Sequence, residues 1–142
     1  MSTTLPPMRQ LSEHLRTAAQ LSSDEVRALA EQGVKTLICN RPDGEEEGQP
    51  SAESMRTLAE SLGMDWYFLP VVSGQVTDEQ GDEFGEILAN AEAPIVAYCR
   101  TGARCGCLWA LSLRHEHSGE HLVESLKLAG YDMPDFFKRL QG

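Results

Sequence analysis

Apolar and polar residues change period repeatedly along this chain, and the changes divide it into alternating short strands and helices. Leu15, Thr17 and Ala19 alternate with polar neighbours and predict a first strand. Ser22 followed by Glu25 is a capping-box pattern, in which two side chains satisfy orphan N–H groups at a helix start. Val26, Leu29 and Ala30 give that helix an apolar stripe, and Gly33 is placed to end it. Val34 to Cys39 reads as a buried strand, and Arg41 to Pro50 as a charged loop bearing Gly and Pro. A second helix starts at Ser51, with Met55, Leu58 and Leu62 on one face and Gly63 at its end. Trp66 to Val72 predicts a strand, and Thr77 with Gln80 a further capping box ahead of Phe84, Ile87 and Leu88. Pro94 to Tyr98 is a strand that runs directly into Cys99, and a helix continues after Arg104 to about His115. Ser118 caps a helix carrying Leu122, Leu126 and Ala129 that closes at Gly130. Pro134 suits the first turn of a last short helix ending near Leu140.

Strands alternating with helices imply an α/β fold with a mostly parallel sheet and helices on both faces. Neither a repeat nor an interdomain linker breaks the pattern, so residues 1–142 read as a single domain with its core over about 11–130. Such sheets hold ligands at the carboxyl ends of their strands, where Cys99 and Cys39 both fall. Trp109 is expected between helix and sheet, and Trp66 and Tyr67 on opposite faces of their strand.

The formal charge of −10, from 22 acidic and 12 basic residues, repels phosphate backbones and anionic lipid, which argues against nucleic acid and membrane as partners. The first residues lack the basic patch and apolar run of a secretory leader, which points to the cytoplasm. The four cysteines, Cys39, Cys99, Cys105 and Cys107, cluster unlike a disulfide framework and suit a reducing compartment. Cys105 and Cys107, two apart on a helix, point to different faces, and with His115 or His117 they lack the spacing of paired zinc motifs. No metal or cofactor is implied.

The chemistry concentrates in Cys99-Arg100-Thr101-Gly102-Ala103-Arg104. A buried strand ends, a loop with a central Gly follows, and a helix begins. Successive N–H groups in such a loop point inward and cradle an anion, aided by the helix N-terminus. Arg104 adds a bidentate guanidinium, and all these effects favour thiolate over thiol at Cys99. Gly102 lets the backbone bend close to a ligand. A nucleophilic sulfur and an anion site are therefore expected in one bowl, formed by Cys99 and Arg104 with Arg100, Thr101, Gly102, Ala103 and Cys105. Arg100 either attracts the anionic substrate or is simply solvated. Cys105 either resolves an oxidised Cys99 or packs as a small residue. A passive sulfur carrier and a Cys99–Cys105 redox sensor are the readings outside enzymology.

Tyr98 to Arg104 resembles the active-site loop of rhodanese-type sulfurtransferases, a Cys-x4-Arg pattern. From Leu11 to Gly130 the chain resembles the bacterial family called DUF442, the phosphatase-like domain of beta-lactamase-hydrolase-like proteins. Asn40-Arg41-Pro42-Asp43-Gly44-Glu45-Glu46, Gly48-Gln49-Pro50 and the Cys99 loop carry that resemblance. It implies a dual-specificity-phosphatase-like fold and either phosphatase or sulfurtransferase activity. It also implies a place in persulfide metabolism beside a persulfide dioxygenase partner. Arg41 and Asp43 would wall the site. Cys39, at a strand end, either borders the pocket or packs as a buried strand residue.

Cysteine phosphatases of this fold resemble His-Cys-x5-Arg-Ser/Thr with an Asp acid on an earlier loop. Here Tyr98 replaces the His, the loop is one residue shorter, Cys105 replaces the hydroxyl, and Pro70-Val71-Val72-Ser73-Gly74 holds no carboxylate. Asp78, Glu79 and Asp82 follow at a helix start, where they either swing in as the acid, Asp78 first among them, or serve the helix dipole. A missing acid costs a phosphatase about 10²–10⁴-fold in rate, whereas a thiolate or sulfite leaves unaided. The sequence therefore favours a sulfurtransferase that carries sulfane sulfur on Cys99, between a small anionic donor and a thiol acceptor. The alternative is a phosphatase working through a Cys99 phosphocysteine.

Overall fold

The structure, a computed structural model, describes residues 4–142. Strands β1 (Met8–Gln10), β2 (Leu15–Ala18), β3 (Thr36–Cys39), β4 (Asp65–Phe68) and β5 (Ile95–Tyr98) form one sheet. Helices α1 (Ser23–Glu31), α2 (Ala52–Ser61), α3 (Asp78–Asn90), α4 (Ala103–Ser112), α5 (Gly119–Leu128) and α6 (Pro134–Gln141) cover it. The strand order is β1-β2-β5-β3-β4, parallel except for the edge strand β1, which runs antiparallel to β2. The α/β architecture is thus the one expected, with β1 as an addition. Three residues are too few to show a hydrophobic period, so β1 was not legible.

The parity of β5 places Cys99. Ile95, Ala97 and then Cys99 face a core layer with Phe84 of α3, Leu108 of α4 and Leu122 of α5. Val96 and Tyr98 face the opposite layer, with Val26 and Leu29 of α1 and Met55 of α2. Successive strand side chains must alternate in this way. α4 is buried from Arg104 through Leu111, which is why its sequence lacks a polar face.

The expected N-caps at Ser22, Ser51, Thr77 and Ser118, and the capping boxes at Ser22–Glu25 and Thr77–Gln80, are present. Three boundaries differ. The strand expected over 66–72 stops at Phe68, because Pro70 lacks the N–H that would continue the ladder. Leu62 is more than a third exposed, since α2 ends at Ser61 and its buried face is Ala52, Met55 and Ala59. α4 ends at Ser112, short of His115. Among the described residues, no helix is long and apolar enough to cross a membrane.

α3 and α4 approach closely because Gly81 has no side chain; a Cβ there would lie 2.5 Å from the Leu111 Cβ. Gly81→Ala should therefore cost about 1–3 kcal/mol by forcing the helices apart. Urea unfolding should show a lower midpoint at unchanged slope, and a midpoint equal to wild type would contradict this packing.

Candidate active site

The loop after β5 is pinned at both ends. The Cys99 N–H donates to the Ala18 carbonyl at 3.3 Å, and the Gln20 N–H donates to the Arg100 carbonyl at 3.3 Å. Gly102 is left-handed, with φ +94°, at the N-cap of α4. That turn aims the Gly102 N–H at the Cys99 sulfur, 3.0 Å away. Tyr131, just after α5, supports the turn from behind: its hydroxyl donates to the Gly102 carbonyl at 3.1 Å and shares a hydrogen bond with Thr17 of β2. The Arg9 guanidinium lies 4.8 Å from the Tyr131 ring centre and closes this arrangement on the outside.

The Cys99 thiol is lowered to about 5. Hydrogen bonding from the Cys105 side chain is the largest cause; burial opposes it, and the N–H groups of Cys105, Thr101 and Arg104 assist. Cys105 is itself raised well above the ordinary thiol range, first by burial and then by its bond to Cys99, so it remains a protonated donor. Cys107, on the next part of α4, is pushed up to about 12 by burial and stays a thiol. Only one of the three neighbouring cysteines is thus set up as a nucleophile.

Arg104 is buried and held in a fixed orientation. Its Nη1 and Nη2 donate to the Glu45 carboxylate at 2.6 and 2.8 Å, and Nη1 also donates to the Val71 carbonyl at 2.8 Å. This leaves the Nε edge and the second Nη2 hydrogen without a partner among the described residues. These two N–H groups form a parallel fork of the kind that grips tetrahedral anions. Glu45 is lowered to about 2, chiefly by hydrogen bonding from Arg104, and so remains an anion. Arg41, fully buried, fixes Glu45 in turn at 3.0 Å and also donates to Glu46 and Gln20.

A cavity of about 370 Å³ lies over this arrangement, lined by Glu45, Ser73, Arg100, Thr101, Ala103 and Arg104. Thr101 is exposed at its rim, with its hydroxyl accepting from the Ala103 N–H at 3.3 Å. Arg100 is exposed and lies 3.9 Å from Glu46. Cys105 is buried beneath Cys99 and lines no part of the cavity, so it meets the sulfur and not an anion in the bowl.

Several residues singled out from the sequence lie elsewhere. Cys39 shares the parity of Tyr98, faces the α1–α2 layer, and donates its S–H to the Arg41 carbonyl at 3.4 Å. Asp43 caps α2, accepting from the Ala52 N–H at 2.7 Å, and does not wall the bowl. Arg41 acts from behind Glu45 without lining the bowl. Asp78 is bound to Arg139 at 2.8 Å and does not line the cavity. From the sequence Glu45 is one of several acids in the charged loop 41–50, and Tyr131 lies in no motif. An acidic run beside a buried arginine and a chain-distant tyrosine carry no local periodicity that would reveal them.

Residues 7–115 match the family described as "Beta-lactamase hydrolase-like protein, phosphatase-like domain". The chain belongs to this family. A beta-lactamase hydrolase-like protein of Agrobacterium fabrum is 36% identical over 102 residues, which are 72% of this chain and 24% of that protein. The chain thus spans about a quarter of the length of that relative. The crystal structure of nma1982 from Neisseria meningitidis, provisionally named a phosphatase, is 33% identical with a TM-score of 0.83, covering 93% of this chain and 94% of that one. TpbA of P. aeruginosa, solved with pTyr, shares the fold at 18% identity and a TM-score of 0.69, covering 94% of this chain and 87% of that one. These findings correct the sulfurtransferase reading of the loop. The nma1982 structure carries a phosphatase name, and kinase-associated phosphatase shares the fold; neither is a rhodanese-type enzyme. The shorter loop and missing hydroxyl, weighed against phosphatase chemistry from the sequence, do not separate the chain from that fold.

Because the thiolate fraction rises as pH rises through the Cys99 value, iodoacetamide should alkylate Cys99 half-maximally near pH about 5, with a plateau above. Cys105→Ala should move that midpoint upward and Cys105→Ser should hold it low; equal midpoints in all three would remove the role of the Cys105 donor. Glu45→Gln weakens a charge-assisted bond worth about 1.5–3 kcal/mol, so anion-dependent turnover should fall about 10- to 100-fold. Unchanged turnover would show that Arg104 needs no such anchor.

Proposed function

We propose that this chain hydrolyses phosphate monoesters through a covalent phosphocysteine on Cys99. The observation that carries the reading is a thiolate held near 5 in the same loop as Arg104: the Arg104 N–H bonds to that buried sulfur, and the free guanidinium fork of Arg104 lies at a small cavity directly over the loop. Phosphoryl transfer asks mainly for positioning and for charge stabilisation on the equatorial oxygens. The fork and the loop N–H groups supply that stabilisation, while Glu45 prevents Arg104 from swinging away. The Cys99 sulfur attacks phosphorus, the ester oxygen departs with its electron pair, and water then displaces the sulfur to give inorganic phosphate.

Two departures from the usual phosphatase pattern are accommodated by neighbours. The donor to the thiolate is the Cys105 S–H in place of a hydroxyl. Tyr98, in place of a histidine, is buried and hydrogen-bonded with Cys39 in the opposite layer, so it acts as a core residue. The name of the nma1982 structure supports the reading, and the pTyr bound to TpbA supports a monoester of this general kind as substrate.

The test is phosphate release from p-nitrophenyl phosphate by wild type and Cys99→Ser, with mass spectrometry of acid-quenched protein. Wild type should turn over and carry phosphate on Cys99, and Cys99→Ser should lose activity by about 1,000-fold or more. Release that persists in Cys99→Ser, or none from wild type, would overturn the proposal.

A further inference from the structure

A phosphatase acting on ordinary esters must protonate the departing oxygen, and the loop after β4, where sequence comparison looks for that acid, holds none. A second cavity, of about 300 Å³, adjoins the anion bowl and shares Ser73, Ala103 and Arg104 with it. Its remaining walls are Val76 and Phe136, with Gly74 and Cys107, Asp135 at the start of α6, and Arg139, whose guanidinium is bound to Asp78. A monoester with its phosphate on the Arg104 fork has this cavity as the neighbouring space for its leaving group.

The carboxylates near these two cavities differ in their commitments. Glu45 is bound to Arg104 and Arg41 and is held as an anion. Glu46 pairs with Arg41. Asp78 is taken by Arg139, and Asp82 by Arg114 at 2.8 Å. Asp135 lines the second cavity and has no hydrogen-bond or ion-pair partner among the described residues.

We infer that Asp135 is the general acid and that the second cavity is the leaving-group subsite, taking an aromatic or other apolar alcohol. The inference rests on the phosphatase reading. In the first step the Cys99 sulfur forms its bond to phosphorus, the P–O bond breaks, and the ester oxygen takes that electron pair and the Asp135 proton. In the second, water attacks the phosphocysteine and gives its proton to the Asp135 carboxylate, and the S–P electrons return to Cys99. Phe136 and Val76 exclude water from the departing group, while Asp135 projects from α6, far in sequence from the usual acid loop.

The experiment compares p-nitrophenyl phosphate, whose leaving group needs no proton, with phenyl phosphate, whose leaving group does. Asp135→Asn should lower turnover of phenyl phosphate about 100-fold and of p-nitrophenyl phosphate by less than about fivefold, in line with general-acid contributions. Asp135→Glu should recover part of the phenyl phosphate rate. Equal loss on both esters, no loss on either, or a selective loss in Asp78→Asn would overturn the assignment. Wild type inactive on both esters would remove the phosphatase reading and the acid with it. Activity on both that ignores Asp135 would remove the acid alone.

Discussion

The guanidinium of Arg104 has two hydrogen-bonding edges, and the site depends on each serving a different partner. The Nη1–Nη2 edge is committed to Glu45 and the Val71 carbonyl, and the Nε–Nη2 edge is left for an anion. A flexible arginine would have to be ordered each time it met an anion, and here that ordering is done on folding. The cost is a buried positive charge, offset by Glu45, and a second one at Arg41, offset by Glu45, Glu46 and Gln20. The acidic loop after β3 is therefore a structural counterpart of the basic residue on α4, even though more than fifty residues separate Glu45 from Arg104.

The nucleophile obeys the same logic of opposed terms. Burial alone would raise the Cys99 thiol, as it does for Cys107 and Cys105. Cys99 goes the other way because donors converge on its sulfur, the Cys105 side chain first among them. Those donors converge because Gly102 turns left-handed at the N-cap of α4, and that turn is supported from the back by Tyr131 and Thr17. A Cβ at Gly102 would press on both the Tyr131 hydroxyl and the Ala18 carbonyl, at 3.2 and 3.3 Å. The loop is thus clamped between β2 and the segment after α5, which leaves its open face to the cavity.

Much of the fold could be read from local rules. Capping boxes at Ser22 and Thr77, apolar stripes on the helices, and β-branched runs ending at Cys39 and Tyr98 gave the order of elements and the parallel sheet. Strand ends were less legible, because Pro70 stops β4 by removing one donor and not by any change of hydropathy. The choice of chemistry was less legible still. A loop with four residues between Cys99 and Arg104 suits either a terminal sulfur or a phosphate on paper, and likeness to solved phosphatases was needed to correct the sulfurtransferase expectation.

What the sequence determined by itself was the place of Cys99 at a strand end, its loop and the helix that starts beneath it, because strand end, glycine turn and helix start are all neighbours along the chain. What only the tertiary structure decided was which distant groups meet that loop. Glu45 left its charge run to hold Arg104, and Asp43 left the same run to cap α2. Cys39, also at a strand end, was turned away by a one-residue difference in parity. Tyr131 and Asp135 arrived from the far end of the chain. Periodicity records which face a side chain takes on its own element; it carries no information about which elements the sheet order brings alongside.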